Sequence, residues 1–522
     1  MKRCPSTLSV AIGLLLGLAA SAAAIEIRNY VAARHDRFTE FPAASAWNAT
    51  AWYPSHQFTG VGWARDDTPY CRQFALVSPL HLVCATHYQP LPGTVMRFLN
   101  SDGVTVDRSV ALLTPITNEL DQNTDLTLVT LSSPLLPADK VTPFPYLNLG
   151  DENEYLGTPL TVFGWQTKVG KGVLSMFDDL TANGLPNTRL MGFAYPIASG
   201  GQDDVYLEIG DSGSPTFAMV GDTPALLGTH TAIDANATTR FNFDTFVPHY
   251  IAQLNAAMAA DGHQMTPVYP LEVAAAPTPS IWRKATPGNC RFDIKNVTAR
   301  AVTHLTVTLN FPAASAPDSL TAPGWIITPG TPGEYALTLA SLSAATTDSI
   351  TAAWLDLGVS ASLAITLSLA ADDNPLRTFN FNQTLAPSYK AWAAGLSNND
   401  MAADPDGDGI PNLLEYAFGG DPAVTSQTMP SGAALLPALN VSGSGGTLSF
   451  PVRDDAALRG LTYDVEFSAT LETGSWSLTP PPGYAVVDAP FNPAVPGHLL
   501  RCVSFAASDP AHFCRVRVEL NE

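Results

Sequence analysis

Proline and glycine punctuate this chain so densely, at 43 and 38 of 522 residues, that long helices have little room to form. Between the breaks lie short runs rich in Val, Leu, Phe and Thr, among them Gly60 to Ala64, Phe74 to Val77, Leu82 to Ala85 and Leu126 to Leu131. Runs of that length, bounded by Pro, Asp and Gly, read as strands of an antiparallel barrel or sandwich. The expected fold class is mainly β. One segment breaks the rule: Phe246, Tyr250, Leu254 and Met258 recur at four-residue steps beside Val247 and Ile251, which predicts an amphipathic helix docked on the strands. The length implies three or four units and not one core.

Asp and Glu outnumber Lys and Arg by 47 to 26, so the surface repels nucleic acid and anionic lipid. Lys2 and Arg3, the apolar run Val10 to Ala20 and the small residues Ala22-Ala23-Ala24 read as a signal peptide over residues 1–24. No later run is long enough to span a bilayer, so a secreted protein, extracellular or at the cell surface, is expected. Five cysteines follow the signal, Cys71, Cys84, Cys290, Cys502 and Cys514, and export puts them where disulfides persist. Cys71 with Cys84, and Cys502 with Cys514, are spaced as hairpin staples, and the odd number leaves at least one unpaired.

Three stretches carry chemistry. In Gly210-Asp211-Ser212-Gly213-Ser214-Pro215 a serine sits at a tight turn where backbone N–H groups can converge on one point, the arrangement of a nucleophile and an oxyanion hole. Leu82-Val83-Cys84-Ala85-Thr86-His87 delivers an imidazole at the end of an apolar strand, where a general base is useful. Asn123-Thr124-Asp125-Leu126-Thr127-Leu128-Val129 starts an alternating strand with a carboxylate that burial obliges to find a partner. Any one of them is also an ordinary turn or strand end. The order His, Asp, Ser within one unit is much harder to dismiss.

Residues from about 58 to 260 therefore resemble the chymotrypsin-like, or trypsin-fold, serine peptidases. Ala85-Thr86-His87, Asp125-Leu126-Thr127-Leu128 and Gly210 to Pro215 match that family's three motifs, and Gly164-Trp165 resembles its Gly-Trp corner. The resemblance implies a double antiparallel Greek-key barrel over residues 25–262, with the site in the cleft between barrels. It implies Ser212 as nucleophile, His87 as general base and then acid, Asp125 as the group orienting the imidazole, and the N–H groups of Gly210 and Ser212 as the oxyanion hole. Tyr206 and Thr231 fall where the family meets its substrate. No Asp stands before the oxyanion loop at the position that gives trypsin its preference for Lys or Arg, which argues against that specificity. Tyr88 follows the histidine where many relatives have a cysteine, so the resemblance moves the local staple to Cys84 with Cys71. Cleavage after Ala24 would make Ile25 an N-terminus able to pair with Asp211, as relatives do on activation. Apart from calcium, no cofactor is expected, and none for catalysis.

Residues 263–280 read as a linker, and 281–385 as an Ig-like β-sandwich, since Val302 to Leu309, Tyr335 to Leu339 and Leu363 to Leu369 alternate apolar residues with Thr or Ser. Within 386–427 the run Asp404-Pro405-Asp406-Gly407-Asp408-Gly409-Ile410-Pro411-Asn412-Leu413-Leu414-Glu415 fits a twelve-position calcium loop. Its ligands would be Asp404, Asp406, Asp408, the Ile410 carbonyl, Asn412 and a bidentate Glu415. With no twin loop, it resembles the solitary calcium loops of dockerin-like or thrombospondin type 3-like modules, and a structural site is expected. Residues 428–522 look like a second small sandwich. The leading expectation is a secreted serine endopeptidase with protein or peptide substrates. The alternative is a peptidase-like unit without activity, in a surface adhesion or matrix-binding protein whose sandwiches hold an extracellular ligand.

Overall fold

The computed structural model describes residues 25–41, 46–67, 71–180, 187–442, 445–506 and 513–521. The expected signal peptide lies outside them. The chain is mainly β. Strands β1 (Val61–Ala64), β2 (Gln73–Ser78), β3 (His81–Cys84), β4 (Val95–Leu99), β5 (Thr105–Thr117) and β6 (Asn123–Leu131) close into a barrel in the order β1-β2-β3-β6-β5-β4. A second ring follows: β7 (Pro159–Phe163), β8 (Val169–Leu180), β9 (Thr188–Pro196), β10 (Pro215–Val220), β11 (Thr223–Ala235) and β12 (Thr239–Phe246) run in the order β10-β7-β8-β9-β12-β11. Pairing of β10 with β11 closes it.

Alternation of side chains along the strands divides the cores. On β3, Leu82 and Cys84 point into the first barrel against Phe74, Phe98 and Val129, whereas Val83 joins a second cluster that reaches Phe163 and Phe217 of the other barrel. Helix α1 (Ile251–Met258) sets Leu254 and Met258, both fully buried, into that shared cluster. Its apolar stripe therefore seals the seam between barrels, as the four-residue spacing predicts.

The N-terminal segment belongs to the second barrel. Ile25 and Ile27 enter its core, and the two-residue strand Glu26–Ile27 pairs with Val205–Tyr206. Behind it, buried Asp203 accepts from Arg34 at 2.7 Å, from Lys171 at 2.8 Å and lies 3.0 Å from His35 Nε2, which pins the segment to β8.

Both expected disulfides are absent: all five described cysteines are free thiols. Cys84 faces the interior of the first barrel, while Cys71 packs with Phe38, Trp63 and Leu99 in a separate cluster. Cys502 lies opposite Ser449 and Val487 in a four-stranded sheet, and Cys514 opposite Phe467 in a two-stranded one. Each pair is split, between two clusters or between two sheets, so nearness in sequence does not bring the thiols together.

The stretch 263–280, expected as a linker, is built into sheets at both ends. Pro267–Val268 lies parallel to Tyr146–Leu147 beside the second barrel, and Leu271–Thr278 runs antiparallel to Gly288–Asn296. Alanine and proline obscured a strand whose Leu271, Val273 and Ala275 face a core. That core lies between a four-stranded and a six-stranded sheet and contains Trp282, Phe292, Val307, Leu337 and Leu367. Further on, helix α2 (Asn412–Phe418) buries Tyr416, Ala417 and Phe418 against Phe450, Val465 and Val503 of the last strands. The acidic loop and the C-terminal sheets thus share one core. Among the described residues no helix is long and apolar enough to cross a membrane.

Candidate active site

Ser212, His87 and Asp125 meet between the two barrels. β3 ends at Cys84, and the short turn Thr86–Tyr88 carries His87 out of the barrel wall. Asp125 sits near the start of β6, the strand paired with β3, and is fully buried. Its Oδ2 lies 2.8 Å and its Oδ1 2.9 Å from His87 Nδ1, and Oδ1 also accepts the His87 backbone N–H at 3.0 Å. The Asp125 main chain is held as well: its N–H donates to Thr188 Oγ1 at 2.8 Å and its carbonyl accepts from Thr245 Oγ1 at 3.2 Å. With Nδ1–H given to the carboxylate, Nε2 is left as the acceptor, and Ser212 Oγ stands 2.9 Å from it. A hydroxyl, a base and a buried carboxylate in this sequence can remove a proton from Ser212 and stabilise the imidazolium formed.

The loop before Ser212 is held by Asp211, which is buried. Its Oδ1 accepts from Trp165 N–H and its Oδ2 from Glu208 N–H, each at 2.8 Å. Burial pushes the Asp211 carboxyl up to about 6, against the pull of those two donors and of His230. Among the described residues, neither Gly210 N–H nor Ser212 N–H has an acceptor. Two unspent donors beside a nucleophile are what a developing oxyanion requires.

Ile25 stands next to this loop. A Cβ on Gly164 would collide with Ile25 Cγ2 and come 2.9 Å from Asp211 Oδ1, so the Ile25 side chain and the Asp211 carboxylate flank the same point.

Tyr206 is nearly buried, its ring 6.1 Å from that of Tyr195 and under the Arg240 guanidinium at 4.7 Å. Thr231 turns its side chain inward, with Oγ1 2.7 Å from Thr245 Oγ1 and donating to the Thr229 carbonyl, so only its backbone can meet a substrate. Three features escaped the sequence reading. Tyr88 stacks on Trp165 with centroids 6.5 Å apart, the Arg72 guanidinium lies 4.3 Å from the Tyr88 centroid, and buried His230 pairs with buried Asp244 at 2.7 Å. The run Leu226-Leu227-Gly228-Thr229-His230-Thr231 was the available signal for the last, because an imidazole inside an apolar strand needs a partner.

The acidic loop forms a second candidate centre. Carboxylate oxygens of Asp404, Asp406 and Asp408 lie within 4.8 Å of one another. Backbone N–H groups of Gly407 and Gly409 turn back to Asp404 at 3.0 and 2.8 Å, and Ile410 N–H donates to Asp408 at 2.8 Å while the Ile410 side chain anchors in the core. Glu415 is fully buried on α2 with neither carboxylate oxygen partnered, and Asp406 Oδ2 is likewise buried and orphaned. Burial, with Asp406, Asp408 and Asp404 close by, pushes the Glu415 carboxyl up to about 7. A hard cation would satisfy these oxygens. Asn412 spends its amide nitrogen on the carbonyls of Asn398 and Asp400, at 2.9 and 2.8 Å, which ties the loop to the preceding turn, and its Oδ1 is buried without a partner.

No protein-family model and no curated protein matches the chain. Among solved structures, the chain is similar to the secreted serine protease VesC from Vibrio cholerae, at 8% identity over 88% of this chain and 96% of that one, with a TM-score of 0.23. A mutant of human heparin-binding protein (CAP37) shares 14% identity over 40% of this chain and 95% of its own, with a TM-score of 0.29. The murine norovirus NS6 protease shares 13% identity over 34% and 92%, with a TM-score of 0.23.

Proposed function

We propose that the chain is a secreted serine endopeptidase. The observation that carries this reading is the single line of contacts from Asp125 through His87 to Ser212, which ends beside the unspent N–H groups of Gly210 and Ser212. Ser212 Oγ attacks the carbonyl carbon of a peptide bond while His87 Nε2 takes its proton. The oxyanion is held by Gly210 and Ser212 N–H, and His87 returns the proton to the departing amine. Water, deprotonated by the same imidazole, then hydrolyses the acyl-enzyme.

Fluorophosphonate labelling of the purified protein beside a Ser212→Ala control tests the reading. Labelling confined to the wild type is the expected result. A well-folded wild type that does not label overturns it and favours a binding protein, with the ligand sought among the C-terminal sheets.

Two further features bear on how the enzyme is assembled. Cleavage after Ala24 would place a new ammonium at Ile25, whose side chain already flanks the buried Asp211 carboxylate. The acidic loop takes calcium through Asp404, Asp406, Asp408 and Glu415, with the Ile410 carbonyl and Asn412 Oδ1 completing the set. When bound, the ion supplies charge compensation for buried oxygens and takes no part in hydrolysis.

A further inference from the structure

His230 lies under the nucleophile loop and the triad does not use it. Its main chain holds the loop twice: Gly213 N–H donates to the His230 carbonyl at 2.9 Å, and His230 N–H to the Ser214 carbonyl at 3.0 Å. Its side chain reaches elsewhere. Nδ1 is 2.7 Å from Asp244 Oδ1 on β12, and Nε2 is 2.5 Å from the Phe163 carbonyl at the end of β7. Phe163 precedes Gly164-Trp165, which supports the other side of the same loop, since Trp165 N–H donates to Asp211 and its indole lies against Gly210. The imidazole therefore joins the two supports between which Gly210 to Ser214 hangs.

Both partners of the ring accept only. A carboxylate and a carbonyl can each be satisfied only by an N–H, so both contacts together need a ring protonated on both nitrogens. We propose that His230 is a positioning residue that holds the oxyanion loop in its working shape, and that it does so as a buried imidazolium paired with Asp244. The proposal rests on the peptidase reading.

Charge on the surrounding elements agrees. Burial by itself pushes the imidazole down, but Asp244, by charge and by hydrogen bond, together with the Asp211 charge and the Phe163 carbonyl, outweighs it and holds His230 above the ordinary histidine range. Two buried carboxylates, Asp244 from β12 and Asp211 from the loop, thus face one ring cation, and a freed Ile25 ammonium would supply the second positive charge. The sign follows. The raised group keeps both ties below its folded pKa and loses one as pH rises through it, leaving a single N–H for two acceptors.

The test combines spectroscopy with kinetics on the full chain. In protein carrying ¹⁵N-labelled histidine, the ring signal that disappears in His230→Gln is expected to show both nitrogens protonated at pH 7. The His230→Gln change is expected to slow fluorophosphonate labelling by about 10²-fold, the scale of losing one oxyanion donor, without altering the affinity of a reversible peptide inhibitor. Asp244→Asn keeps the shape and removes the charge. It is expected to fold even if His230→Gln does not, and to move the alkaline limb of the labelling rate down by about 1–3 pH units. A singly protonated ring at pH 7 overturns the proposal. So does an alkaline limb unmoved in Asp244→Asn, or a His230→Gln protein that labels normally and differs only in which peptides it prefers. A doubly protonated ring in a wild type that does not label supports the tie and overturns the peptidase reading instead.

Discussion

The indole of Trp165 fills the space that a side chain at Gly210 would need. A Cβ built there meets the ring, and the backbone at Gly210 has φ +110°, a conformation L side chains rarely adopt. Gly210→Ala is therefore expected to turn the loop and withdraw one oxyanion donor. The cost is about 10²–10³-fold in kcat with little change in KM, measured on any cleaved peptide. Unchanged kcat would mean that the Gly210 N–H does not serve the oxyanion.

Asp125 keeps His87 in one tautomer and cannot be replaced by an isostere that donates. Asp125→Asn is expected to leave the fold intact and lower kcat by about 10⁴-fold, the scale known from the serine-protease triad, because Nδ1 would lose its carboxylate and Nε2 its acceptor role. Thermal unfolding beside kinetics separates loss of the tautomer from loss of the fold.

Asp211 bears on pH dependence. Its folded pKa is raised to about 6, so between the ordinary aspartate range and pH 6 the folded chain binds more protons than the unfolded one, and stability falls as pH rises through that window. An ammonium at Ile25 would offset the buried charge and remove that loss. A protein starting at Ile25 is expected to melt higher than one with two extra residues before it at pH 7.5, and the difference is expected to shrink at pH 5. Equal melting temperatures at both pH values would separate Ile25 from the Asp211 charge.

The orphaned oxygens of Glu415 predict stabilisation by cation. With a dissociation constant of about 10⁻⁴–10⁻³ M, as for solitary extracellular sites, 10 mM calcium adds about 1.4–2.7 kcal/mol to the module that contains α2. Calorimetry with and without chelator should show that rise in wild type and none in Glu415→Ala, while the fluorophosphonate labelling rate stays unchanged.

Free thiols predict indifference to reductant. Burial pushes the Cys71 thiol up to about 11, and Cys84 lies inside the first barrel. A thiol reagent should reach both only after denaturation, and reducing agent should leave the melting temperature unchanged. A fall in melting temperature on reduction would restore the disulfides expected from the spacing.

Much of the site was legible because its chemistry is local. Ser212 lies in a turn whose glycines have to stand where they do, His87 ends an apolar strand, and Asp125 opens one, so order and residue type marked all three. The helix Ile251–Met258 was readable from its fixed spacing, although Phe246, counted with it in the sequence, ends β12.

Strand partners are not written that way. Alternation tells which face of a strand is buried but not which strand lies beside it, so Cys71 and Cys84 looked like a pair until the barrel turned one inward and left the other outside. His230 and Asp244 became a pair only when β11 and β12 aligned, and Ile25 reached Asp211 only because the N-terminal strand joined Val205–Tyr206. The sequence by itself determined the strand-rich class, the three chemical groups and the acidic loop, each set by residue type within a few positions. Register and barrel closure, which sum weak contacts over long separations, decided which of those groups meet and what holds them there.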